Sequence, residues 1–154
     1  MPQLSFLARA LEKYKRVEKI AHDFGVGETL YPSEIHMIST VATAGDVSIT
    51  DLAEKFGNTK GAASQMVAKL VKRGFLEKSR DPVKKSRVLV TATPKGVRAH
   101  DHHMVHHAEH DKAFFTYLAK MNDEEYLVFD SLCRQMDLWM GSYFDQEDKP
   151  KPRE

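Results

Sequence analysis

SITDLAEKFGNTKGAASQMVAKLVKRGFLEKSRDPVKKSRVLVTATPKGVR, residues 48–98, decides how this chain folds. Ser48 is an N-cap residue, and Ile49, Leu52, Ala53 and Phe56 repeat at helical spacing before Gly57 supplies a left-handed stop. Thr59 caps a second helix with the inward face Ala63, Met66, Val67 and Leu70, closed by Gly74. Only Gly57, Asn58 and Thr59 separate the two, so the helices must cross steeply, as in a helix-turn-helix. Two strand-like runs follow, 75–80 and 87–93, and the polar turn Asp81, Pro82, Val83, Lys84, Lys85, Ser86 joins them into a wing.

The charge of this stretch is as telling as its pattern. Eleven Lys/Arg lie between Thr59 and Arg98, opposed only by Glu77 and Asp81, for a formal +9. The remaining 12 basic and 20 acidic residues make the rest of the chain −8, so the net +1 conceals a strong segregation of charge. A basic helix-turn-helix with a basic hairpin suits the surface of duplex DNA.

Outward from this segment the chain reads as helix. Residues 4–24 set Leu4, Leu7, Ala8, Leu11, Tyr14, Val17, Ala21 and Phe24 near one helical face, which Gly25 and Gly27 interrupt. Pro32 and Glu34 suit the first turn of a helix with the stripe Ile35, Ile38, Val41 and Ala42, ended by Gly45. Thr93 and Pro94 open a long helix expected to reach about residue 120. Asn122 or Asp123 caps a last helix with a core face of Leu127, Leu132, Met136, Trp139, Met140 and Tyr143.

The fold class expected is therefore mainly α: a winged helix-turn-helix with a two-stranded wing and long helices forming a dimerisation region. One domain would span 1–146, with a DNA-binding lobe at 32–93 and dimerisation helices at 1–31 and 94–146. Residues 147–154, polar and Pro-rich, form an expected disordered tail. The single cysteine, Cys133, excludes an intramolecular disulfide framework, and its apolar helical setting reads as packing rather than as an oxidant sensor. No apolar run suffices to span a membrane and the N-terminus lacks a signal-peptide core, which points to the cytoplasm.

LYPSEIHMI, then residues 49–81, then RVLVTATPKG, resemble the MarR (multiple antibiotic resistance regulator) family of bacterial transcription factors, and the resemblance runs from about residue 4 to 144. It implies a homodimer on a pseudo-palindromic double-stranded operator, habitually as a repressor. The recognition helix would be 59–73, exposing Thr59, Lys60, Gly61, Ala62, Ser64, Gln65, Lys69 and Lys72. Gln65 suits a bidentate contact with adenine, and Ser64 and Lys60 suit bases or phosphates. Lys69, Lys72 and Arg73 suit the DNA backbone. The wing departs from the family's usual Asp-Arg-Arg. Here Lys84, Lys85 and Ser86 stand in its place with Arg87 just beyond, so which cation enters the minor groove stays open.

Six of the eight histidines fall in HDHHMVHHAEH, residues 100–110. His103 and His107 are four apart and share a helical face, the spacing of a two-histidine metal grip. The resemblance extends here, because zinc-responsive members of the family use a Glu on the first helix, a His on the second and two His on the fifth. Those positions fall on Glu18, His36, His103 and His107, whereas the positions of a second metal site hold Phe24, Ile35 and His102 and do not match it. Zinc is thus a candidate effector, not a requirement for folding. The histidines also read as a solvated face or a pH-responsive cluster. In that case a small aromatic or anionic ligand near Tyr14, Phe24 and His36 would release a repressor. A hydrolytic metal enzyme is disfavoured, because no nucleophile motif or phosphate loop accompanies the histidines.

Overall fold

The computed structural model describes residues 2–84 and 87–147. The chain forms two compact units, 1–108 and 109–154. The first contains α1 (Pro2–Val17), a hairpin of β1 (His22–Asp23) and β2 (Thr29–Leu30), α2 (Pro32–Ala44), β3 (Val47–Ser48), α3 (Ile49–Lys55), α4 (Lys60–Lys72), β4 (Leu76–Arg80), β5 (Val88–Ala92) and most of α5 (Pro94–His110). The second holds α6 (Lys112–Leu118) and α7 (Asp123–Glu147). No described helix is long and apolar enough to cross a membrane.

The helix-turn-helix and wing form where the caps and stops required. Ser48 and Asp51 make a reciprocal capping box at α3, each side chain accepting the other's backbone N–H at 3.2 Å. Thr59 Oγ1 accepts the Ala62 N–H at 3.1 Å and starts α4. Strands β4 and β5 pair antiparallel from Leu76 opposite Ala92 to Arg80 opposite Val88. Asp81 Oδ1 accepts the N–H groups of Val83 and Lys84 and shapes the start of the wing turn. Beyond the expected wing, Val47 and Ser48 add a third strand on the other side of β5. At two residues it is too short to leave an alternating pattern.

One core holds the first unit together. Ile35, Ile38 and Val41 of α2, Leu52 of α3, Val67 and Leu70 of α4, and Phe75, Leu76 and Val90 of the wing stem are buried in it. Burying each large side chain contributes roughly 1.5–3 kcal/mol.

Three expectations are corrected. The first helix ends at Val17, not near residue 24. The positive φ of Gly25 and Gly27, with the Asp23 carboxylate accepting the Val26 and Gly27 N–H groups, turns 22–30 into a hairpin, and Phe24 enters the core as part of it. The long helix expected to reach residue 120 breaks at Asp111. His, Asp and Phe are weak helix formers, and they crowd both sides of that break without a Gly or Pro to announce it. Finally, Leu127, Leu132, Trp139 and Tyr143 of α7 are exposed in the single chain, and so is Cys133, which is therefore not a packing residue here.

Candidate nucleic-acid interface and histidine centre

Helix α4 turns Ala63, Val67 and Leu70 inward, which leaves Lys60, Gly61, Ala62, Gln65, Lys69 and Lys72 exposed and Ser64 half-buried. Thr59, its cap, is also exposed. Lys60, Lys84 and Arg87 line one cleft of about 400 Å³ with Ser48 and Asp51, so the start of α4 and the wing present cations to a common space. Arg87 is not a loose cation: its Nη2 lies 2.6 Å from Asp51 Oδ2, tying the wing to the cap of α3. Lys85 lies outside the described residues.

The other end of α4 is built differently. Glu34, from the first turn of α2, is almost fully buried, yet its carboxylate receives Arg73 at 2.9 Å, Lys69 at 2.8 Å and the Tyr31 N–H at 2.9 Å. Burial pushes the Glu34 carboxyl up, but these donors outweigh it and hold it below the ordinary range. Arg73 also donates to Glu28 and to the Thr29 carbonyl, and Lys95 of α5 pairs with Glu28 and donates to the Arg73 carbonyl. Both cations lie over the face of Phe75, at 5.2 and 4.3 Å from its centroid. Arg73, read from sequence as a contact to the DNA backbone, is instead the hub of an internal network. Lys69 remains exposed but shares its charge with Glu34. Sequence reasoning missed this junction, because Glu28, Glu34, Arg73 and Lys95 are far apart in the chain.

The histidines converge in part. His36 from α2 meets His103 and His107 from α5, with one ligand nitrogen from each lying within 4.8 Å of the others. His103 is 5% exposed, and its conjugate acid is pushed down to about 4 by burial and then by the neighbouring His107, His36, His106 and His100. Burial likewise lowers His36, against the attraction of Glu18. At neutral pH His103 is therefore a neutral ring with a lone pair available, the form a metal requires. Ser39 Oγ lies 3.0 Å from its Nδ1, a partner the sequence did not reveal. Glu18 stands outside the convergent group, just beyond α1, where its carboxylate accepts a hydrogen bond from Tyr14.

This arrangement corrects the solvated-face reading for His103, while His102 and His110 are exposed. Of the residues suggested for a small-ligand pocket, Phe24 is spent in the core, edge-on to His103 with ring centroids 5.2 Å apart.

Residues 30–85 match the model of the MarR family. Over 120 residues the chain is 28% identical to the HTH-type transcriptional regulator YhjH of Bacillus subtilis (strain 168), covering 78% of this chain and 69% of that protein. The crystal structure of Lactococcus lactis ZitR, a zinc-responsive MarR family member, is similar at a TM-score of 0.67 and 18% identity, over 90% of this chain and 96% of that one. Streptococcus pneumoniae FabT, crystallised in complex with DNA, is similar at a TM-score of 0.57 and 20% identity, over 74% and 78%. The structural likenesses establish the winged-helix fold, and the family is one of transcriptional regulators, not enzymes.

Proposed function

We propose, from the match of residues 30–85 to the MarR family model, that this chain is a dimeric, sequence-specific DNA-binding repressor of that family with zinc as its effector. The observation that carries the zinc reading is the convergence of His36, His103 and His107, one buried and neutral, from two different helices. Imidazole nitrogens suit zinc, and Glu18, whose charge already acts on His36, is the candidate fourth ligand. Bound zinc would supply a charge and a fixed ligand geometry that hold α2 against α5.

Coupling to DNA follows from what those helices touch. Two residues before His36, Glu34 grips Arg73 and Lys69 of the recognition segment, and Lys95 at the start of α5 reaches the same junction through Glu28. Fixing α2 against α5 therefore fixes α4. In a dimer, the two recognition helices would then address half-sites about 10 base pairs apart, or a multiple of that. Zinc acts through its differential affinity for the DNA-competent arrangement, strengthening operator binding. Thr59 to Lys72 would supply the major-groove contacts and Lys84, Lys85 and Arg87 the wing contacts. The exposed apolar residues of α7 suit the dimer interface.

Native mass spectrometry and fluorescence anisotropy test this together, the second on duplexes selected from a random pool. The expected result is a dimer taking up one zinc per protomer, with DNA affinity that rises on zinc addition and no uptake at that site in His103→Ala. A dimer that stays metal-free, or DNA affinity indifferent to zinc, would sink the zinc reading. Release by aromatic acids would then favour a small-ligand effector.

A further inference from the structure

Helix α2 contributes to the histidine centre twice. His36 offers a ring nitrogen, and Ser39, three residues on and therefore on the same face, brings its hydroxyl oxygen to 3.0 Å from His103 Nδ1. An imidazole offers one nitrogen to a metal, and the hydrogen bond made by the other decides which one it is. The rest of the His103 ring is hemmed in. Phe24 meets it edge-on at 5.2 Å, His107 lies at 4.3 Å between centroids, and the residue is buried from solvent that could otherwise choose the tautomer.

We infer that Ser39 is the positioning residue of the centre: its hydroxyl oxygen accepts the Nδ1–H of neutral His103 and leaves Nε2 as the ligating nitrogen. The opposite assignment, with Ser39 donating to Nδ1, would put the proton on Nε2 and close that nitrogen to a metal. At Ser39 it is the backbone carbonyl, not the hydroxyl, that accepts from Thr43 Oγ1, so this neighbour does not compete with His103 for the hydroxyl. A hydroxyl orients the ring without adding a second negative charge to a buried place, unlike a carboxylate in the same role. This inference deepens the zinc reading and names a residue outside the ligand set.

The test begins without metal. Long-range proton–nitrogen correlation spectra of metal-free protein carrying labelled histidine report the tautomer of each ring, with the His103 signals identified by their loss in His103→Gln. The expected wild-type state is Nδ1 protonated and Nε2 bare. Ser39→Ala should shift His103 toward the Nε2–H form, and Ser39→Thr, which keeps a hydroxyl, should restore the original state. In competition with a chromophoric chelator, Ser39→Ala should bind zinc about 10–100-fold more weakly and Ser39→Thr within about threefold of wild type. An Nε2–H ring in wild type, or a tautomer and zinc affinity that ignore Ser39→Ala, would overturn the role of Ser39. A wild type that takes up no zinc would overturn the zinc reading instead, and the metal-free spectra would still decide what Ser39 does.

Discussion

Two polar clusters grow from neighbouring residues of α2, and they are opposites. Glu34 opens onto a junction where two carboxylates meet Arg73, Lys95 and Lys69, so buried charge is matched by charge. His36 opens onto a centre of imidazoles with no described cation among them, so lone pairs converge on one another. The first cluster is complete and rigidifies what it joins. The second gathers nitrogen donors of one kind, the arrangement that the proposed zinc reading uses. Buried polarity by itself therefore says little about role: balanced polarity serves architecture, while a gathering of like donors is where a ligand is worth testing for.

The sharpest way to break this comparison is Arg73→Ala. It leaves the buried Glu34 with Lys69 as its remaining cation among the described residues, beside the Tyr31 N–H, and releases Glu28 from one partner, so stability should fall by about 3 kcal/mol, the low end for breaking a buried pair. Urea unfolding checks this, and a loss under 1 kcal/mol would mean that the junction is ornamental. The next effect is on pH. The folded His103 and His36 titrate below their ordinary value, so between about pH 6.5 and 4 the unfolded metal-free chain binds more protons than the folded one. Stability should fall as pH drops through that window, by about 2 kcal/mol. The Glu34 and Glu28 carboxyls are held low, so their contribution persists above the usual carboxylate range and is lost only at more acid pH. Two separate acid steps in a series of urea titrations are the expected signature, and a flat response between pH 6.5 and 4 would show the histidines to be solvated. The smallest effect comes from Lys72→Ala. Lys72 is exposed and makes no ion pair among the described residues, so folding should change by less than about 0.5 kcal/mol while the salt slope of DNA binding drops by about one. Lys69→Ala should differ by costing stability as well, because Glu34 loses a partner.

Legibility in the sequence followed the range of the interactions. The helix-turn-helix and wing were readable because caps, stops and period are local: Ser48, Thr59 and the 75–93 alternation act within a few residues. The convergence of His36, His103 and His107 was readable in part, because His103 and His107 obey helical spacing and His36 followed from the family resemblance. Glu18 was placed on a helix that in fact stops at Val17, since an apolar pattern continued through a hairpin whose turn depends on Asp23. The Glu34–Arg73–Glu28–Lys95 junction was invisible, because its members lie up to 67 residues apart and each looks like an ordinary surface charge. Ser39 was invisible for the same reason: its partner is 64 residues away.

Gly96 carries a last consequence. A Cβ there would fall 2.2 Å from the Phe75 carbonyl oxygen, so any side chain must push the start of α5 off the wing stem. Seven residues farther along that helix is His103, and a push at the root swings the whole rod. For anyone redesigning this protein, Gly96 is thus a set-screw: the room kept there decides how closely the root of α5, the helix that carries His103 and His107, seats against the wing stem.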